Sequence, residues 1–136
     1  MYKHILVPIV FDHGSQGWAA VETASHLLAE EGTITLLHVL EDVPVYAAAH
    51  IPHGVREKHR ETAMSELHKL ADKVSANTLC SVIHGHSSQS ILDYAEKHSA
   101  DCIVISSHKP GLEDYFIGST AARVVRHARC AVHVMR

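Results

Sequence analysis

The segment DCIVISSHKPGLEDYFIGSTAARVVRHARCAVHVM, residues 101–135, carries the clearest signature of the fold in this chain. It begins and ends with short apolar runs, DCIVI and AVHVM, which are typical of strands buried on both faces of a sheet. Between these runs, residues 119–128 are predicted to form a short helix. A strand, a helix and a second strand in this order predict a βαβ unit with a right-handed crossover.

Short apolar runs alternate with amphipathic segments through the rest of the chain as well. Further strands are predicted at residues 4–9, 33–40 and 78–83, and further helices at residues 15–31, 55–76 and from Ser87 or Ser88 onward. Gly32 is predicted to end the first of these helices. The five strands and four helices predict one α/β domain over residues 1–136, with a doubly wound, five-stranded parallel sheet. The order of the strands stays open.

The composition excludes two classes of partner. The chain has 12 Lys and Arg against 15 Asp and Glu, so it lacks the basic field that holds nucleic acid by its phosphates. No apolar stretch approaches the ~20 residues that cross a bilayer, so we expect no membrane association. The three cysteines, Cys80, Cys102 and Cys130, are widely spaced and form no CxxC pair. Free thiols of this kind favour a cytoplasmic location.

The loop and helix start SSHKPGLEDYFIGST, residues 106–120, form the strongest candidate for a binding site. In parallel sheets, ligands bind beyond the carboxyl ends of the strands, where this segment begins. Gly118 lets the backbone approach a ligand, and the first amides of the helix are free to bind an anion. Ser119 and Thr120 add hydroxyls, and Lys109 adds a positive charge. The alternative is that Ser119 or Thr120 only caps its own helix and that Gly118 only makes the turn.

Four segments carry a resemblance to a known family. They are HILVPI at residues 4–9, LLHVL at 36–40, DCIVISSH at 101–108 and GSTAARVVRHARCAVHVMR at 118–136. In this order and spacing, the whole chain resembles the universal stress protein family. The resemblance implies a Rossmann-type fold like that of the adenine nucleotide alpha-hydrolases, a homodimer, and binding of ATP, AMP or a related adenine nucleotide, with or without Mg²⁺.

The resemblance extends in part to the family's phosphate-binding motif. ATP-binding members carry Gly, two residues, Gly, nine residues and then Gly-Ser or Gly-Thr, and Gly118-Ser119 matches the last element. A strict count places Ile105 and His108 at the positions of the two earlier glycines. A loop shorter by one residue places Ser106 and Lys109 there instead. Both glycines are therefore replaced in this chain.

The loop that replaces the glycines is similar to one found within the family. Its sequence Ser-His-Lys-Pro, residues 107–110, resembles the Ser-His-Arg-Pro loop of a branch in which nucleotide binding is known. The resemblance therefore implies that the phosphates lie on this loop and on the start of the following helix. The implied contacts are Ser106, Ser107, His108, Lys109, Gly118, Ser119 and Thr120.

Two strand ends are implied to hold the adenine and the ribose. Pro8 matches the end of the first strand, which lies against them in the family, and Val39 matches the position whose backbone faces the adenine. The family's Asp two positions after the Pro is replaced by Val10. Asp12 is a candidate substitute for the ribose contact, and its alternative is an ordinary loop or helix-capping Asp. Val39 is also explained as a buried strand residue, and both descriptions are compatible.

Histidine-rich segments raise the question of a metal site. His50 and His53 form one close pair, His84 and His86 form another, and His59 lies near the first. No tight group of four ligands is visible, so we predict no specific metal site. The GxSxG, Walker A and CxxC motifs are also absent from the sequence. We therefore predict no catalytic residues and at most slow ATP hydrolysis.

The leading hypothesis is a stress-response regulator that binds ATP or AMP and signals to an unidentified protein partner. A second hypothesis is a dimeric interaction module that does not use nucleotide, which the missing glycine pair and Val10 favour. A third is a small hydrolase or transferase. Separately, the apolar last strand, Ala131–Met135, predicts a homodimer, because it would leave an open edge at the border of the sheet.

Overall fold

Five strands form one parallel sheet in the computed structural model, which describes residues 1–11, 16–41, 45–52, 54–107 and 117–136. The strands are β1 Tyr2–Pro8, β2 Leu28–Leu40, β3 Asn77–His84, β4 Cys102–Ser106 and β5 Ala131–Met135. Their order is β3-β2-β1-β4-β5, and every pair is parallel. The winding therefore reverses between β1 and β4, where a doubly wound sheet opens a crevice for a ligand.

Helices cover both faces of the sheet, as the alternation of segments predicted. They are α1 Gln16–Leu27, α2 Val45–Ala48, α3 Val55–Ala71, α4 Ser87–Lys97 and α5 Ser119–His127. On one face, α1 and α3 bury Ile5 and Val7 of β1, and on the other face α4 and α5 bury Leu6. This arrangement confirms the predicted doubly wound α/β fold. None of the described helices is long and apolar enough to cross a membrane.

The segment between α1 and β2 differs from the prediction. Residues 15–31 were expected to be helical, but α1 ends at Leu27 and the chain then enters β2, where Leu28 pairs with Tyr2. Glu31 has a φ of 61°, and a Cβ added to Gly32 would lie 2.7 Å from Leu28 Cδ1. Gly32 therefore permits a close approach inside β2 and does not end a helix. The short α2 is a second difference, since no helix was predicted between the strand at residues 33–40 and the helix at residues 55–76.

Asp101 joins the amino ends of β1 and β4. Its carboxylate accepts hydrogen bonds from the amides of Lys3 and His4, each at 2.9 Å, and its own amide donates to His4 O at 3.0 Å. Burial acts to raise the pKa of the Asp101 carboxyl, but the surrounding amides and the nearby His4 ring outweigh burial and lower it. The carboxylate is therefore held in its ionised form.

The His4 ring forms hydrogen bonds with two further polar groups at the same end of the sheet. Its Nδ1 lies 3.0 Å from His98 O, and its Nε2 lies 2.8 Å from Thr35 Oγ1. Because a carbonyl oxygen only accepts, Nδ1 donates to His98 O, and in the neutral ring Nε2 accepts from the Thr35 hydroxyl. Thr35 is 1% exposed, so this bond satisfies a buried hydroxyl that would otherwise destabilise the core.

Candidate functional site

A cavity of about 270 Å³ lies at the carboxyl ends of β1, β2 and β4, beside the point where the winding reverses. We call it the switch-point cavity. Apolar side chains from the strands and from α4 form most of its wall. Its lining includes Pro8, Val39, Ile91, Ile105, Ser106 and Thr120. The cavity therefore brings together Pro8 and Val39, the two residues implied to contact adenine.

A second cavity, of about 480 Å³, lies between the starts of α4 and α5, and we call it the α4–α5 cavity. Its lining is mainly polar and cationic, and includes His86, Ser88, Ser119, Arg123, Arg126 and His127. Glu41, Ser87 and Thr120 line both cavities. Because the two cavities share these residues, a mostly apolar compartment opens directly beside a polar one.

The start of α5, whose first residues line the α4–α5 cavity, has backbone amides without a hydrogen-bond partner among the described residues. Gly118 is the N-cap residue, and no side chain caps the helix. The first helical bond runs from the Ala122 amide to Gly118 O at 2.8 Å, so the three preceding amides have no backbone partner in the described part of the chain. The structure therefore does not show the alternative in which Ser119 or Thr120 caps its own helix.

Three of the residues implied to bind phosphate lie in the cavity walls. Ser119 lines the α4–α5 cavity, Ser106 lines the switch-point cavity, and Thr120 lines both. Ser106 is the last residue of β4 and Ser119 is the first residue of α5, so strand and helix ends position these side chains. Three other predicted site residues lie outside the described residues, namely Asp12, His108 and Lys109.

Ser107 and Gly118 line neither of these two cavities and instead make contacts within the fold. Ser107 is buried, and its amide and hydroxyl both donate to Met135 O, at 2.8 and 3.1 Å. These bonds join the ends of β4 and β5. Gly118 has an ordinary φ of −59°, and a Cβ added there would lie 3.4 Å from Ser107 O. Gly118 therefore lets the start of α5 approach the end of β4 closely.

His38, which lies inside the strand predicted at residues 33–40, also lines the switch-point cavity. Its Nδ1 lies 2.7 Å from Ile9 O, and because the carbonyl only accepts, Nδ1 carries the proton. The Phe11 ring lies 4.6 Å from the His38 ring, centroid to centroid. His38 therefore fixes the chain beyond β1 against β2, and in the neutral tautomer Nε2 is left as an acceptor.

Glu41 directly follows β2 and is a cavity residue that was not predicted from the sequence. Its Oε1 accepts hydrogen bonds from Ser87 Oγ at 2.5 Å and from Ser87 N at 3.2 Å. The Ser87 hydroxyl lowers the pKa of the Glu41 carboxyl, and together with the Ser87 amide and the His86 ring it outweighs the opposing effect of burial. The signal that could have identified Glu41 is its place immediately after the carboxyl end of a parallel strand.

Arg123 and Arg126 were likewise not predicted. They lie three residues apart on α5, a spacing that places both on one face of the helix. Both are exposed, and neither forms an ion pair with another described residue. Arg129, just beyond the helix, instead lies 3.2 Å from Glu96 Oε1. The spacing of the two arginines is the signal that could have indicated a cationic surface beside Ser119.

A third cavity, of about 270 Å³, lies between the end of β2 and the start of α3. His50, His59 and His84 line it, together with Arg56 and Glu41. Within the described ranges, no group of three or more His, Cys, Asp or Glu side chains is placed to hold a metal ion. Three of the clustered histidines thus meet at one cavity, whereas His86 lines the α4–α5 cavity and His53 lies outside the described residues.

Comparison with known proteins matches the chain from end to end. The family model described as the universal stress protein family matches residues 1–136. Universal stress protein G from Shigella flexneri is 31% identical over 144 residues, which cover 100% of each chain. The structure of universal stress protein UspA from Lactobacillus plantarum superposes with a TM-score of 0.77 and 27% identity, over 99% of this chain and 98% of that one.

Two further structures with this fold are complexes with nucleotides. A universal stress protein in complex with cAMP has a TM-score of 0.67 and 17% identity, over 99% of this chain and 97% of that one. The universal stress protein from Archaeoglobus fulgidus in complex with dAMP has a TM-score of 0.72 and 19% identity, over 99% and 98%. At these identities the likeness establishes the fold. The match of the family model to all 136 residues shows more: the chain belongs to the universal stress protein family.

Proposed function

We propose that this chain binds an adenine nucleotide, ATP or AMP, and acts as a stress-response regulator with little or no catalysis. The observation that carries the proposal is the pair of adjoining cavities at the carboxyl ends of the strands. One compartment is mostly apolar and the other is polar and cationic, which is the division that a nucleotide requires. The nucleotide complexes of the two distant relatives support the same ligand class.

The residues of the two cavities fit the parts of a nucleotide. In the switch-point cavity, Pro8, Val39 and Ile105 provide apolar surface for a planar base. In the α4–α5 cavity, the unpaired amides at the start of α5 and the Ser119 hydroxyl suit phosphate oxygens. Arg123 and Arg126 add positive charge farther along the helix. A Mg²⁺ ion would arrive with ATP, bound mainly to its phosphates and water.

A blocking substitution where the cavities meet tests the proposal. Thr120 lines both cavities, so Thr120→Trp would fill the junction. The matched control is Val125→Trp on the same helix, at a position that is 46% exposed and lines neither cavity. Calorimetric titration of nucleotide-free protein should show ATP and AMP binding to wild type and Val125→Trp, and binding weakened about tenfold or more, roughly 1.4 kcal/mol, in Thr120→Trp.

Absence of any heat or thermal shift with ATP and AMP in the wild-type protein would overturn the proposal. The alternative without nucleotide, a dimeric interaction module, would then gain support. Binding that is equally strong in Thr120→Trp and Val125→Trp would place the nucleotide elsewhere on the molecule.

We also propose that the chain forms a homodimer through β5. A protein partner would respond to the nucleotide-bound state of this dimer. β5 is the border strand of the sheet and pairs only with β4 among the described strands. A second copy that adds its own β5 would cover the open backbone edge. Light scattering should give a dimer mass at micromolar concentration, and Val134→Pro, which removes an amide from the strand, should shift the mass toward the monomer. A monomeric mass for the wild type would contradict the dimer.

The cytoplasm is the proposed location. All three cysteines are free thiols, and burial raises the pKa of Cys102 to about 11, with smaller contributions from Cys130 and Asp101. Thiols of this kind stay reduced and unreactive in a reducing compartment.

A further inference from the structure

An acidic side chain marks the end of β2 in both cavities. Glu41 follows Leu40, the last residue of β2, and lines the switch-point cavity as well as the α4–α5 cavity. β2 is the neighbour of β1, and the reversal of winding lies on the other side of β1. In nucleotide-binding sheets of the Rossmann type, an acid in this region accepts a hydrogen bond from the 2′-hydroxyl of the ribose. Glu41 therefore has both the chemistry and the place of a ribose ligand.

The orientation of Glu41 leaves one oxygen available. Both hydrogen bonds from Ser87 end on Oε1, and Oε2 has no hydrogen bond to any residue in the described ranges. The side chain is exposed, so a ligand in the cavities can reach it. The carboxyl pKa lies below its ordinary value because of the Ser87 hydroxyl, so the group is a charged acceptor at neutral pH. Ser87 thereby holds one oxygen of an ionised carboxylate and leaves the other free.

The end of β1 offers no comparable acceptor among its described side chains. Val10 and Phe11, the last described residues before the gap at 12–15, are apolar and 68% and 38% exposed. Val10 also lines the switch-point cavity. A ribose seated over this end of the sheet would therefore find apolar surface on the β1 side and a carboxylate on the β2 side.

We propose that Glu41 binds the ribose 2′-hydroxyl of the nucleotide through Oε2 and makes this chain selective for ribonucleotides over 2′-deoxyribonucleotides. The inference rests on the proposed function, since it assigns a specificity to the same site. A purely structural role is the competing explanation, because a carboxylate on the first amide of α4 also stabilises that helix. That role would not distinguish AMP from dAMP, which gives the experiment its readout.

The experiment compares calorimetric titrations of AMP and 2′-dAMP. In wild-type protein, AMP should bind about tenfold to a hundredfold more tightly than dAMP, the range for a hydrogen bond to a charged group. Glu41→Ala should lose AMP affinity by the same factor, retain dAMP affinity, and so bring the ratio close to one. Glu61→Ala, at an exposed position on α3, is the matched control and should keep the wild-type ratio.

Further variants separate the ribose contact from helix capping and from a competing acid. Ser87→Ala removes the hydroxyl that orients Glu41 but keeps the carboxylate, so it should lower the ratio only in part. Asp12→Asn should leave the ratio unchanged. Circular dichroism of each variant checks that it is folded before titration.

Each result decides the inference. Equal affinities for AMP and dAMP in the wild type, or a preference that survives Glu41→Ala, would overturn it while leaving the proposed function intact. A preference that disappears in Asp12→Asn and persists in Glu41→Ala would assign the ribose contact to Asp12 instead. If the wild type binds neither nucleotide, the proposed function fails, and the inference fails with it.

Discussion

At the amino end of the sheet, the Asp101 carboxylate and the His4 ring are hydrogen-bonded to backbone groups and to Thr35. At the carboxyl end, no described residue hydrogen-bonds the Ser119 hydroxyl or forms an ion pair with Arg123, and both residues line a cavity. The same five strands thus end in paired polar groups on one side. On the other side, paired groups such as Glu41 and Ser107 lie beside unpaired ones in the cavity walls. Because an unpaired polar group adds little to folding, the carboxyl end is available for a ligand.

This division predicts that substitutions at the two ends have separable effects. A change at the amino end should lower the free energy of unfolding and leave nucleotide affinity unchanged. A change at the carboxyl end should lower nucleotide affinity and leave stability nearly unchanged. Measuring both the free energy of unfolding and the nucleotide affinity of every variant therefore tests whether the two ends of the sheet differ in this way.

The largest effect is expected for Asp101→Ala. The substitution removes the acceptor for the amides of Lys3 and His4, and should lower the free energy of unfolding by about 2 kcal/mol. Urea denaturation should show a lower midpoint with an unchanged slope. The control is Glu96→Ala, which breaks only the exposed ion pair with Arg129 and should cost less than about 0.5 kcal/mol. Equal losses in the two variants would mean that Asp101 is no more important than a surface charge.

The second expected effect is the acid dependence of the Asp101 contribution. The folded-state pKa of this carboxyl lies below its ordinary value, so its stabilisation is complete above that ordinary value and is lost as pH falls through the folded pKa. The difference in unfolding free energy between wild type and Asp101→Asn should therefore shrink from about pH 6 to about pH 2.5. A difference that stays constant or grows in acid would contradict the ionised carboxylate.

The fold, together with the paired polar groups at the amino end of the sheet, could be predicted only in part from the sequence. Apolar runs such as residues 4–9 and 131–135 predicted the positions of the strands, because strands covered on both faces are apolar throughout. Periodicity carries no information on which strands are neighbours, so the order β3-β2-β1-β4-β5 had to come from the structure. The extension of β2 to Leu28 was missed because its pairing with Tyr2 is a long-range contact that overrides local helical preference.

The candidate site at the carboxyl end was predicted through resemblance more than through pattern. Pro8 and Val39 were identified by their match to the family, and both line the switch-point cavity. Glu41 and Arg123 were missed because their relevance depends on which helices and strands meet, and no local motif contains that information. Ser107 shows the converse: it stands in the matched loop, yet its hydroxyl donates to Met135 O in the structure.

A smaller effect is expected for the arginines of α5. Replacing both, as Arg123→Gln with Arg126→Gln, should weaken ATP binding about tenfold and AMP binding about twofold, since the charges would act on the outer phosphates. The loss for ATP should diminish at high salt. Arg129→Gln is the control, because Arg129 lies outside the α4–α5 cavity and pairs with Glu96. Equal losses for ATP and AMP would contradict this placement of the phosphates.

The smallest effect is expected for Ser119→Ala, and it tests the division between the two ends most directly. The Ser119 hydroxyl caps nothing, so its removal should change the free energy of unfolding by less than about 0.5 kcal/mol. If the hydroxyl instead serves a phosphate, ATP affinity should fall about threefold to tenfold, the usual contribution of one hydrogen bond. Ser65→Ala, at an exposed position on α3, makes the same chemical change away from the cavities and should alter neither quantity. A stability loss near 1 kcal/mol with unchanged ATP affinity would make Ser119 a structural residue, and the carboxyl end would then resemble the amino end.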